Sequence, residues 1–284
     1  MNQFELVTLK SGVISLRSID HAETFHPGVG PLIEANTLHV EQARLTERCS
    51  ETDLFVIWDV GFGAAANAIA AIEALKAQKC HIQLHSFDQS TAPIQFALEH
   101  AVELGYILPY GDFLRRLISD RRVDLSPQLQ WHLHLGDFRT QMHNSHLPSP
   151  HAILYDPYSP IGNPEMWTLE HFQALFKRLD PKVPSLLTNY TRSTSMRVAL
   201  LLAGFYVGRG CSIHEKTETT VASNQFKLLQ NPLTPDWLKR VRASTNAAPL
   251  RAENYSKSAI SLGDLAKLEA LPQFNHFPSN PLPA

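Results

Sequence analysis

The sequence of 284 residues predicts an α/β protein with a Rossmann-like core, a seven-stranded, mostly parallel sheet that ends in a C-terminal antiparallel hairpin. Three observations predict it. Short apolar runs bounded by polar or turn residues alternate with segments of helical spacing. The first strong run, Leu54-Phe55-Val56-Ile57, leads through Trp58-Asp59-Val60 into Gly61-Phe62-Gly63 and then into a stretch dense in helix formers at 68–77. The last two runs, at 205–208 and 219–222, are joined by a charged loop and no helical segment.

The elements follow in order. Leu6-Val7-Thr8-Leu9 and Val13-Ile14-Ser15-Leu16-Arg17 flank Lys10-Ser11-Gly12 and read as a hairpin. Phe25-His26-Pro27-Gly28 lies in a rigid loop, and residues 38–42 read as a strand or a helix start. This β-rich piece is a lid or brace ahead of the main sheet. The second core strand ends at Asp88. Ser90 or Thr91 then caps a helix with Pro93 in its first turn, and Gly105 closes it. Residues 106–129 read as a less regular insertion. Trp131-His132-Leu133-His134-Leu135 alternates as the third strand and stops at Gly136-Asp137. Ala152-Ile153-Leu154-Tyr155 is the fourth strand, after which Asn163 is expected to cap a helix that begins at Pro164. Residues 185–190 form the fifth strand, Ser193 or Thr194 caps the next helix, and Gly204 ends it. The expected domains are an N-terminal extension over 1–50, a core over 51–223 and a C-terminal extension over 224–284 with a proline-rich, disordered tail.

Composition sets bounds. With 44% hydrophobic and 18% charged residues, the chain has enough apolar material for a full core. A net charge of −2 gives no overall field for nucleic acid. No apolar run is long enough for a membrane span, and the start of the chain lacks the pattern of a secretion signal. Cys49, Cys80 and Cys211 are widely spaced and read as inert thiols of a reducing, cytoplasmic compartment. His132, His134, His143, His146 and His151 gather in sequence without a carboxylate or cysteine among the last three, so no metal site is expected.

The chemistry concentrates at the ends of strands. Gly61-x-Gly63 before a helix lets a ligand approach bare amides, although the same two glycines also suit a plain tight connection. Asp88, about 25 residues on, stands where a ribose-binding acid belongs. Asp137 suits either an adenine contact or a helix cap. Asp156-Pro157-Tyr158 follows the fourth strand, where methyltransferases that act on nitrogen place an acid or amide, a proline and an aromatic. Proline stiffens such a loop, and the carboxylate accepts a hydrogen bond from an amine and stabilises the charge that nitrogen acquires.

Over roughly residues 24–223 the chain resembles the methyltransferase domain of the MnmC-type enzymes, which complete 5-methylaminomethyl-2-thiouridine at the tRNA wobble position. The resemblance rests on Asp59-Val60-Gly61-Phe62-Gly63 with Asn67, on Asp156-Pro157-Tyr158-Ser159-Pro160 with Asn163-Pro164-Glu165-Met166-Trp167-Thr168, on Ala203-Gly204-Phe205, and on Lys216-Thr217-Glu218. It implies a class I S-adenosyl-L-methionine-dependent methyltransferase whose acceptor is the amine of 5-aminomethyl-(2-thio)uridine in tRNA. It implies Asp156 as the amine-facing acid. The cofactor would be lined by Asp59, Gly61, Phe62, Gly63, Asn67, Asp88 and Asp137. The substrate side would be bordered by Pro157, Tyr158, Asn163, Trp167, Lys216 and Glu218. Ala64-Ala65-Ala66 departs from the family's glycine and bulky residues, and the family's arginine-rich run is thinned to Lys216-Thr217-Glu218-Thr219. No second glycine-rich βαβ unit is found, so the flavin oxidase domain fused to some members is not expected here. The alternatives are another amine acceptor, on a small molecule or a protein, and a non-catalytic binding protein of the same fold.

Overall fold

The structure is a computed structural model that describes residues 3–213 and 217–275. Eleven strands are present among them: β1 (Phe4–Thr8), β2 (Ile14–Ser18), β3 (Glu23–Thr24), β4 (Leu54–Val60), β5 (His81–Asp88), β6 (Arg122–Ser126), β7 (Leu129–Leu135), β8 (Ala152–Tyr155), β9 (Leu186–Asn189), β10 (Tyr206–Arg209) and β11 (Thr220–Ser223). The last eight form one sheet in the order β10-β11-β9-β8-β4-β5-β7-β6. Neighbours are parallel from β9 across to β7, and β11, β10 and β6 add antiparallel. Strand order reverses between β4 and β8. Ligands of open α/β sheets bind in the crevice beyond the carboxyl ends at such a reversal.

The central strands are apolar throughout because both faces are covered. Every residue of β8 is buried, as is all of β4 after Leu54. One face carries the helix Ala66–Leu75, which buries Ile69, Ile72 and Leu75 against Phe55 and Ile57. The other carries Leu169–Arg178, which sets Phe172 and Leu175 beside Trp58, Ile153 and Tyr155. Thr168, not Asn163, caps that helix: its hydroxyl accepts from the His171 amide at 3.2 Å, whereas Asn163 precedes a short 3-10 turn, Pro164–Trp167.

Three further local readings are corrected. Residues 106–129 are ordered, because the amphipathic helix Gly111–Asp120 buries Leu114 and Leu117 and feeds β6, which makes the sheet eight-stranded. Residues 38–42 lie in and just after a π-helical turn, Asn36–Glu41, that continues the helix Pro31–Ala35. Cys49 and Cys80 are not separate thiols. They form a disulfide with a Cα–Cα distance of 6.5 Å, joining the approaches to β4 and β5, while Cys211 is free.

The N-terminal strands form their own three-stranded antiparallel sheet, β1-β2-β3. Near the other end, Trp237, Leu238, Val241, Leu268 and Phe274 join the second core. Gln273 pairs with both the amide and the carbonyl of Val207 at 2.8 Å, which ties this region to β10. The proline-rich tail lies outside the described residues. Among the described residues, no helix is long and apolar enough to cross a membrane.

Candidate active site

Two loops meet where the strand order reverses. The first leaves β4 at Gly61 and folds over the end of β5, so that the amides of Gly61 and Phe62 both donate to the Phe87 carbonyl, at 3.1 and 3.0 Å. Gly61 has a φ of +93°, and a methyl group there would sit 2.5 Å from the Asp156 carbonyl oxygen. Its glycine identity therefore serves the contact between the two loops as well as the turn. Gly63, at φ +51°, would meet the Phe25 ring at 3.1 Å. Ala65 is buried and holds a left-handed φ of 65° at the entry to the helix, a conformation that glycine adopts more readily. Asp88 braces this turn by accepting from the Gly63 amide at 2.8 Å.

The second loop leaves β8 at Asp156, whose amide donates to Val60 O at 2.9 Å. Its carboxylate accepts from Asn67 Nδ2 at 2.8 Å. A carboxylate can only accept, so the amide nitrogen of Asn67 must face Asp156 and its Oδ1 must face elsewhere. That oxygen is buried without a hydrogen-bond partner. The loop is held by donors beneath it: Tyr190 Oη to Pro157 O at 3.2 Å, and Trp167 Nε1 to Tyr158 O at 2.8 Å. Asn189 Nδ2 fixes the Tyr155 carbonyl just before it, at 2.9 Å.

Between and above these loops lies a cavity of about 470 Å³. Six carboxylates line it (Asp20, Glu23, Glu34, Asp88, Asp156 and Glu165), with no lysine or arginine among the described lining residues. Such a lining favours cationic ligands and resists phosphate. Burial pushes the Asp88 carboxyl up, against the pull of the Gly63, Ser90 and Gln89 amides.

Gly61, Phe62, Gly63, Asn67 and Asp88 line the cavity from the first half of the sheet, and Asp156, Pro157, Tyr158 and Asn163 from the second. Asp59, Asp137, Trp167 and Glu218 lie elsewhere. Asp59 is fully buried below the turn; Ser86 Oγ donates to it at 2.7 Å and itself accepts from Trp131 Nε1 at 2.9 Å. Asp137 caps the short helix Phe138–Gln141 and grips Arg139 Nη2 at 2.5 Å, an ion pair that holds its carboxyl below the usual range; its neighbours Gly136 and Phe138 line the cavity instead. Trp167 is fully buried and reaches the site only through the loop it supports. Glu218 is drawn into an arginine cluster, 2.9 Å from Arg197 and 3.6 Å from both Arg209 and Arg240. Lys216 lies outside the described residues. Of the histidines, His132 and His134 both stack with His85 on the sheet, and His151 stacks on Phe55.

Asp59 gives a pH-dependent expectation. Burial raises its carboxyl to about 7, with Asp156 and Asp88 adding to the rise and the Ser86 hydrogen bond opposing it. The unfolded chain releases that proton near pH 4, so between about pH 4 and 7 the folded state binds more protons and stability falls as pH rises. Asp59→Asn keeps the shape of the protonated acid and cannot ionise. It should match the wild type near pH 4 and exceed it by a few kcal/mol above pH 7, as read from denaturant unfolding at both values.

Residues 18–26 also line the cavity through Ser18, Asp20, His21, Glu23, Thr24, Phe25 and His26. Sequence reasoning placed a lid or brace here without assigning it site residues, and no motif marks them. Their partners lie far along the chain.

A sequence-family model described as S-adenosyl-L-methionine-dependent methyltransferase matches residues 107–225. The chain is 27% identical over 253 residues to the tRNA 5-methylaminomethyl-2-thiouridine biosynthesis bifunctional protein MnmC of Cupriavidus metallidurans, a match that covers 85% of this chain and 35% of that protein. It is 28% identical over 205 residues to the protein of that name from Pseudomonas fluorescens, covering 66% and 30%. The chain thus spans about a third of the length of the curated relatives it matches. Among solved structures, MnmC2 from Aquifex aeolicus superposes with a TM-score of 0.71 at 25% identity, covering 94% of this chain and 84% of that one. The fold class and the resemblance read from the sequence are both borne out.

Proposed function

We propose, on the premise that the chain is an S-adenosyl-L-methionine-dependent methyltransferase, that it methylates the primary amine of 5-aminomethyl-(2-thio)uridine at the wobble position of tRNA. The observation that carries this reading is the Asp156 carboxylate, held by Asn67 in a cavity with six carboxylates and no lysine or arginine among its described lining residues. The cofactor fits that lining on physical grounds. It carries a sulfonium and an ammonium, and the buried, unpartnered Oδ1 of Asn67 is an acceptor in want of a donor. The glycine turn at Gly61 and Gly63, with Asp88, Asn67 and the Gly136 backbone, would hold it.

When bound, the cofactor supplies an electrophilic methyl carbon. An acceptor amine arrives largely as an ammonium and gives one proton to solvent before its lone pair can form the N–C bond. Asp156 accepts a hydrogen bond from that nitrogen and orients the lone pair. As the N–C bond forms and the C–S bond breaks, the nitrogen becomes cationic, and the carboxylate stabilises the developing charge. Asn67 keeps the carboxylate from turning away, so little reorganisation is needed at that moment. A cytoplasmic location follows from a tRNA acceptor.

The test is methyl transfer to tRNA from cells that lack the final wobble methylation, with the modified nucleoside identified by mass spectrometry. Conversion of 5-aminomethyl- to 5-methylaminomethyl-(2-thio)uridine supports the reading. Cofactor binding with no transfer to this tRNA overturns it and leaves another amine or a non-catalytic role.

A further inference from the structure

The N-terminal hairpin grips the loop after β8 at several points. Glu23 accepts from the Ser159 amide at 3.0 Å and from the Ser159 hydroxyl at 2.5 Å. A methyl group on Gly162 would meet Glu23 Oε1 at 2.8 Å and His21 Nδ1 at 3.4 Å, so hairpin and loop are in close contact there too. The Tyr158 ring is covered on one side by His21, stacked at 3.9 Å with an interplanar angle of 23°, and met on edge by Phe25 at 5.8 Å. His21 is itself exposed although it lines the cavity, which puts it at the rim. Ile161, in the same loop, is 85% exposed.

These contacts matter for an RNA acceptor because the cavity's described lining offers nothing to hold phosphate. An acceptor ring entering it must be bound by its π-face and its amine arm. Stacking on an aromatic surface is the sequence-tolerant way to hold an unpaired base. Tyr158 has one face taken by His21, and Glu23 fixes the hairpin so that the imidazole stays in place.

We propose that His21, backed by Tyr158, is the surface on which the unpaired pyrimidine ring of the acceptor stacks while its amine arm reaches Asp156. This rests on the tRNA reading above and adds a specificity-determining residue to it.

The experiment uses the full chain, tRNA lacking the final methylation, and S-adenosylhomocysteine titrated by calorimetry. His21→Ala should raise KM for tRNA about tenfold, with a smaller effect on kcat and with S-adenosylhomocysteine affinity retained; His21→Phe, which keeps a flat ring, should restore KM. An unchanged KM in His21→Ala overturns the proposal, as does a His21→Phe variant no better than alanine. So does a parallel loss of S-adenosylhomocysteine affinity in His21→Ala, which would make the histidine a structural prop. If the wild type transfers nothing to this tRNA, the acceptor reading fails and this assignment falls with it. Wild-type activity with an indifferent His21→Ala removes this assignment alone.

Discussion

Replacing Asp156 by asparagine is expected to slow methyl transfer by about 100- to 1000-fold at saturating donor and acceptor, with the affinity for S-adenosylhomocysteine little changed. The substitution keeps size and removes charge. Asn67 Nδ2 donates to Asp156 at 2.8 Å, so the new amide would turn its oxygen to Asn67 and its NH2 group towards the acceptor. The acceptor nitrogen would then face a donor where it now faces an acceptor, and the positive charge it gains would lose the carboxylate that faces it. Asp156→Ala should behave similarly, which excludes a misplaced amide as the whole cause. Single-turnover transfer separates this loss from any change in product release. A rate within tenfold of the wild type would show that the carboxylate does not act on the reacting nitrogen.

Gly61→Ala should fail in a different way. The added methyl group would lie 2.5 Å from the backbone oxygen of Asp156, well inside van der Waals contact, at a φ of +93° that alanine adopts only under strain. Neither loop can yield by turning a side chain, because the atom met is backbone. A loss of about 3 kcal/mol or more in unfolding free energy is expected, together with loss of donor binding. Gly63→Ala should cost less, about 1–2 kcal/mol, since its obstacle is the Phe25 ring at 3.1 Å, which can move. Denaturant midpoints of the three proteins test the order. If Gly61→Ala unfolds like the wild type, the packing of the two loops does not depend on that glycine.

The two substitutions together separate chemistry from scaffold, and they mark what the sequence can convey. The central strands were legible because a strand covered on both faces must be apolar along its whole length, as β4 and β8 are. Strand β7 was legible for a different reason: one of its faces packs while the other carries His132 and His134, and the alternation shows in the letters. Strand β6 was not, because an edge strand that opens with Arg122 and contains a register shift between Asp124 and Ser126 has no clear period. Within the site, residues next to glycine turns and strand ends were found from local pattern. Asp59, Asp88 and Asp137 show the limit of that method. All three are acids near the ends of strands, yet one is buried under Ser86, one braces the turn, and one caps a helix. Depth in the fold separates them, and no spacing encodes depth. Nor could spacing reveal the contact of Glu23 with Ser159 or of His21 with Tyr158, because strands β4 to β8 lie between them in the chain.

That separation has a consequence for how the molecule is made. Glu23 and Ser159 are 136 positions apart, and the loop that carries Ser159 follows directly on β8, which pairs with β4. On the ribosome, β3, which emerges early, must wait until most of the parallel sheet has been synthesised before Glu23 meets Ser159. Bringing such distant segments together is entropically costly and slow relative to local contacts. The contact between Glu23 and Ser159 is therefore completed late in biogenesis, and a nascent chain arrested before residue 159 would lack it.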